Sequence, residues 1–217
     1  MTISALATAG GTLVLAGATY GSVRSANRAA RVAEQSLLAS LRPLLTSSKL
    51  EDPVQKVGFM DGETLVVGGG AAAAEVTDEA LYLAISVRNA GSGIAVLHGW
   101  RVYPELMVPL GRGRGEHPPV EEFTALTRDL YVPVGDVGFW QGSFRDPRSD
   151  GYRAARRAVE KPQRMGVDIL YGDFEGGQRM ISRFMLSPHV AGDEVRWHAA
   201  VGRHWSVDRP EPRERET

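Results

Sequence analysis

The sequence predicts a mainly β protein, an antiparallel β-sandwich of immunoglobulin-like type behind an N-terminal transmembrane helix and a helical stalk. Three observations carry this expectation. No Asp, Glu, Lys, Arg or His occurs from Met1 to Val23. Residues 24–45 are rich in Ala, Leu and Arg, with Glu34 and Gln35 among them. After Pro43, short apolar runs are separated by Gly, Pro and Asp, which is the spacing of strands and turns.

The 217 residues, with 25 basic against 26 acidic side chains, suit one globular domain with an appendage. So near-neutral a balance argues against a general nucleic-acid binder. The chain has no cysteine, which excludes a disulfide framework, a thiol nucleophile and any cysteine-ligated zinc or iron-sulfur site.

Residues 1–23 read as the membrane helix, with residues 3–23 in contact with the lipid bilayer. At about 1.5 Å per residue this run matches the roughly 30 Å hydrocarbon core. A cleaved signal peptide would need a basic region ahead of the apolar run, and a buried core helix would be shorter and interrupted by polar residues. Arg24, Arg28, Arg31 and Arg42 follow the run and no basic residue precedes it. The positive-inside bias therefore puts the N-terminus outside the plasma membrane and the globular domain in the cytoplasm.

The stalk, residues 24–45, continues the helix until Pro43 ends it. Arg24, Arg28, Arg31, Gln35 and Arg42 form one stripe, with Ala26, Ala30, Ala33, Leu37 and Leu44 opposite. That spacing fits either a short coiled-coil seam or a helix lying on its own domain. Gly17 and Gly21, with Gly10 a heptad earlier, form a small-residue pattern that points to a homo-oligomer.

The domain spans residues 50–207. Its clearest strands are Leu81 to Arg88, Ile94 to Tyr103, Val167 to Asp173, Gln178 to Leu186 and Val195 to Val207, with shorter ones between Val57 and Val67. Asn89 to Gly93 and Asp173 to Gly177 read as turns in which Asn and Gly accept positive φ, with Asp173 and Arg179 near the two strand ends, placed to pair across the mouth of the second hairpin. A small barrel is the alternative to the sandwich. Tyr152 to Lys161 reads as a helix, with Arg153, Arg156, Arg157, Lys161 and Arg164 forming a solvated basic face. Gly68 to Gly70 and the four alanines after them read as a flexible loop, as does Gly111 to Gly115. Residues 208–217 read as a disordered tail.

Several stretches together carry a resemblance: Leu41 to Leu45 after an Arg/Ala-rich helix, Val87 to Ala95, Leu170 to Arg179, and Gly202 to Trp205. On these residues the chain resembles uncharacterised single-pass membrane proteins of actinobacterial type. The run from Tyr171 to Arg179 is the most specific part. The resemblance implies a short anchor, a stalk and a β-sandwich; it implies no activity.

No catalytic template is complete. Ser92 and Ser143 lack a nucleophile-elbow frame, and no Walker lysine follows Gly68 to Gly70. His198 and His204 share a strand face but are about 20 Å apart at strand rise, too far for one metal. No metal site, cofactor or catalytic residue is assigned. The expected role is a membrane-anchored binding or scaffolding module for an unidentified protein partner, with Asp173, Glu175, Arg179 and His204 as binding candidates. The alternative is a membrane-surface enzyme with its site around the 173–179 hairpin and His204.

Overall fold

A computed structural model describes residues 2–103, 117–192 and 194–208, with side chains from Thr19 onward. The chain divides into two compact units, residues 1–40 and 41–217. The tail beyond Asp208, Asp193 and the Gly111 to Gly115 stretch lie outside the described residues.

The first unit is a single helix, α1 (Thr2–Ser40). It ends at Ser40, whose hydroxyl donates to the Leu37 carbonyl at 2.7 Å. The residue before a proline is pushed out of helical conformation, so Arg42 ahead of Pro43 cannot extend it. Leu44 therefore lies outside the helix, and the apolar stripe runs from Ala26 to Leu37. Among the described residues no helix is long and apolar enough to cross a membrane. Most of the uncharged run precedes the described side chains.

The second unit is mainly antiparallel β. Nine strands form one sheet: β1 (Leu45–Ser47), β4 (Ala71–Val76), β5 (Leu81–Asn89), β6 (Ala95–Tyr103), β7 (Thr124–Val132), β8 (Val137–Phe144), β9 (Met165–Gly172), β10 (Arg179–Ala191) and β11 (Glu194–Ser206). A separate hairpin pairs β2 (Gln55–Gly58) with β3 (Thr64–Val67), and helix α2 (Asp150–Glu160) lies between β8 and β9. Strand β5 pairs along its length with β8. Its other edge takes β4 first and then β1 over the last three positions. From β4 the sheet continues through β11, β10, β9 and β6 to β7.

All nine strands contribute to one buried cluster, including Leu45, Leu83, Leu97, Val132, Trp140, Ile169, Phe184 and Trp197. A flat sheet cannot bring its first and last strands into the same core, so the sheet curls around it. Trp100 stacks edge-on against both Trp140 and Phe144, at 5.6 and 5.1 Å between ring centroids. Tyr152, Ala155 and Ala158 of α2 join the same core. Ser149 caps α2, accepting from the Tyr152 amide at 3.2 Å. On the solvent side of α2, Arg153 pairs with Asp150 and Arg156 with Glu160, which reduces the charge of the expected basic face.

The tetra-alanine segment corrects an expectation. Instead of a flexible loop it forms β4, an inner strand. Ala72 and Ala74 face the main core, while Ala71 and Ala73 lie beneath the β2–β3 hairpin with Val57, Phe59, Leu65 and Val67. Small side chains are needed because both faces are covered. The same hairpin buries Tyr82 and Ala84, so β5 is buried on both faces despite its alternating sequence.

The Asn89 to Gly93 turn exists, but positive φ is not what shapes it. Gly91 and Gly93 lie against the Leu41–Leu44 backbone; a Cβ on Gly93 would stand 1.8 Å from the Leu41 carbonyl oxygen. Fully buried Asn89 fixes this corner. Its amide nitrogen donates to the carbonyls of Gly93 and Val132, and its side-chain oxygen accepts from the amides of Leu44 and Gly91. The chain thus enters the sheet beside the β5–β6 and β7–β8 turns.

Candidate functional site

The β9–β10 turn holds three of the four sequence-predicted residues. Asp173 is 3% exposed and closes the turn on itself. Its carboxylate accepts from the Gly177 amide at 2.8 Å and the Gln178 side chain at 3.1 Å, and its own amide donates to the Gln178 carbonyl at 3.1 Å. Gly176 takes φ +75°, the left-handed conformation expected of it, and Gly177 does not. Glu175 points into solvent beside Phe174.

Arg179 does not pair with Asp173 across the hairpin mouth, as the sequence suggests. Its guanidinium and its amide both bond Asp208, at 2.7 Å for the closest contact of each. The arginine holds the Asp208 carboxyl below the ordinary carboxylate range. Asp173 is committed to the turn instead, each of its oxygens accepting one hydrogen bond there.

His204 belongs to a different environment. Residues 180, 182, 184 and 186 of β10 face the core, and His204 pairs in register with Ser182, so its ring turns inward. Its Nδ1 lies 2.7 Å from Ser182 Oγ, which lies 2.8 Å from the Tyr171 hydroxyl. Tyr171 accepts from the Leu45 amide at 3.1 Å, and Ser182 reaches the Leu45 carbonyl at 3.3 Å. Burial, then the nearby Arg42 charge, lower the affinity of His204 for a proton. The Ser182–His204 contact resembles half of a nucleophilic pair, but Ser182 is 0% exposed and no substrate can reach its oxygen. The structure brings Asp173 and Glu175 together at the turn with Arg179 at its end; His204 is inside the sheet.

Two groupings escaped the sequence reading. His98 sits at a β-bulge, where the register shifts between Leu97 and Gly99. Burial pushes its proton affinity down, against opposing pulls from Asp129 and Asp173 and with a smaller push from Arg179. The second lies on the outer face of β6, β9, β10 and β11, where Arg101, Asp168, Arg183 and Arg203 occupy one cross-strand row. Asp168, 0% exposed, takes two hydrogen bonds from Arg183 at 2.6 and 2.7 Å. The Arg183 guanidinium also stacks between Tyr103 and Trp205, at 4.8 and 5.0 Å from the ring centres. Arg101 also lies over the Tyr103 ring, at 4.4 Å from its centre, and pairs with Glu122. The sequence signal was the odd-position charges Arg183 and Arg203 on strands whose outward face also carries Trp205, with no rule to say that Asp168 would align with them.

Among the described residues no three histidine, aspartate or glutamate side chains gather as metal ligands. His198 lies against His189, with ring centroids 6.2 Å apart.

No protein-family model matches the chain. No curated protein matches it. A crystal structure of a protein from Archaeoglobus fulgidus is similar over 63% of this chain and 93% of its own, at 11% identity and a TM-score of 0.24. Likeness at that level carries no argument about fold or function.

Proposed function

We propose that the chain is a membrane-anchored binding or scaffolding protein, with residues 3–23 in the bilayer and the β domain displayed in the cytoplasm. The observation that carries this reading is the placement of the uncharged run at the head of one uninterrupted helix, Thr2–Ser40, with arginines directly after it. At about 1.5 Å per residue, the part from Arg24 to Ser40 extends roughly 25 Å past the run. The curled sheet is read as a sandwich whose two halves share one core. It offers turns for recognition, and exposed apolar residues mark one end: Phe174 at 66%, Val134 and Tyr131 at 51% and Ile94 at 40%.

Carbonate extraction tests the anchor. The full chain should stay with the membrane pellet, and recovery in the soluble fraction would remove the anchor. A C-terminal tag should be protected from protease added to intact, wall-stripped cells; cleavage would reverse the orientation. Affinity purification from solubilised membranes tests the binding role. A stable partner should co-purify with the full chain and be lost with Phe174→Ser and Val134→Ser together; a partner retained by that variant would place recognition elsewhere.

A further inference from the structure

Leu45 opens the short strand that follows α1, and both of its backbone polar groups end on the interior hydrogen-bond chain. The Leu45 amide donates to Tyr171, while its carbonyl lies 3.3 Å from Ser182 Oγ. Ser182 has one proton to donate and two acceptors compete for it. In the neutral tautomer that carries its proton on Nε2, the shorter contact at 2.7 Å wins: Ser182 donates to His204 Nδ1 and accepts from Tyr171. A proton on Nδ1 makes the ring a donor and sends the Ser182 proton to the Leu45 carbonyl, so the hydrogen bonds alone do not release the segment.

The same proton creates a charge conflict. Ser182 of β10 bonds the imidazole and links it to Tyr171 of β9 and the Leu45 backbone of β1, while the Arg42 guanidinium stands on Met180, two residues from Ser182 on the same face of β10. Among the described residues Arg42 is the charged group that acts on His204. Arg42 is held there by its carbonyl, which accepts from the amides of Ser92 and Gly93 at 2.8 and 3.3 Å, and by Nη2 against Met180 Sδ at 3.6 Å. Arg183 and Arg203 lie on the opposite face of the sheet. An imidazolium facing a guanidinium in a half-buried site, with no carboxylate between them, repels it.

We propose that His204 is a proton-sensitive latch on the segment joining the helix to the sheet: neutral, it leaves residues 41–47 seated; protonated, it displaces Arg42 and loosens that segment. The low proton affinity that burial and Arg42 impose on His204 agrees with this geometry. Loosening acts at the Leu41–Leu44 backbone, where Gly91 and Gly93 receive the chain.

The test is amide hydrogen exchange of the full chain in detergent from about pH 8 to about pH 5, across the range where histidine titrates. Protection at the Leu45 amide, corrected for intrinsic exchange, should fall as pH drops, by at most about tenfold per pH unit for a single proton. The Ile169 amide on β9 should keep its protection. His204→Gln should remove the pH dependence, and Arg42→Gln should shrink it. A flat wild-type profile, or the same fall in His204→Gln, overturns the proposal. If His204→Gln fails to fold, Arg42→Gln decides alone: an undiminished fall at Leu45 overturns it.

Discussion

Asp168 and Arg183 form a pair whose two members are not equally replaceable. Removing the arginine takes the paired charge from a carboxylate that is wholly enclosed and leaves it the Tyr103 hydroxyl, whereas removing the aspartate leaves a guanidinium still stacked on two rings and partly hydrated. Arg183→Ala should therefore destabilise by about 3–5 kcal/mol. Asp168→Asn should cost less, and urea unfolding of both variants checks the order. Arg179 with Asp208 is the exposed counterpart. At 46% and 32% side-chain exposure the pair is screened by solvent, and Arg179→Ala should cost about 1 kcal/mol or less, shrinking further in salt. Because the folded-state pKa of Asp208 is depressed, its contribution is present above the unfolded value and is lost as pH falls through the folded one. The sequence placed Gly176 correctly because a tight turn is local chemistry. It misassigned the partner of Arg179 because Asp208 is 29 positions away, and only strand register brings them together.

Elements tell a similar story. Strands β5, β6, β9, β10 and β11 were legible because their branched and aromatic residues alternate or run continuously between turn residues. Strand β4 was not: alanine has little β preference, and what makes Ala71–Val76 a strand is cover from the core below and the hairpin above. Enlarging a side chain in that layer should be costly. Ala84→Leu, beneath the hairpin at 0% exposure, should destabilise by about 1–3 kcal/mol through overpacking, measured by thermal or urea unfolding. Helix α1 carries its own conflict. Gly17, Gly21, Arg24, Arg28, Arg31 and Gln35 follow one another at four- and three-residue steps, so they share a single helix seam. Two copies joined in parallel through the glycines would set their arginines face to face. Self-association through Gly17 and Gly21 should therefore be weak at low ionic strength and strengthen with salt, as crosslinking in detergent would report. Dimers that weaken as salt rises would rule this seam out.

At the scale of the molecule, the question is where the domain begins. In the sequence, residues up to 45 read as helical stalk and the domain as beginning at residue 50, but the β unit starts at Leu41. The difference is nine residues, 41–49, with a large share of specific contacts. Leu45 is 0% exposed in the main core, the Leu44 amide satisfies Asn89, and Ser48 Oγ bonds Ser86 Oγ at 2.7 Å and accepts from the Gly70 amide at 2.9 Å. A fragment beginning at residue 50 loses all of these and leaves Asn89, Tyr171 and Ser182 facing an empty groove. Deleting one buried leucine costs about 2–5 kcal/mol. Each buried polar group left without its partner adds about 1–3 kcal/mol. Against a total stability of about 5–15 kcal/mol, the sum is enough to unfold the domain. Residues 41–208 should therefore give a cooperative melt and a strand-dominated circular dichroism spectrum, while residues 50–208 should melt much lower or not fold. Equal stability of the two fragments would mean that β1 is dispensable, and that the buried contacts of Leu45 contribute little to holding the curled sheet together.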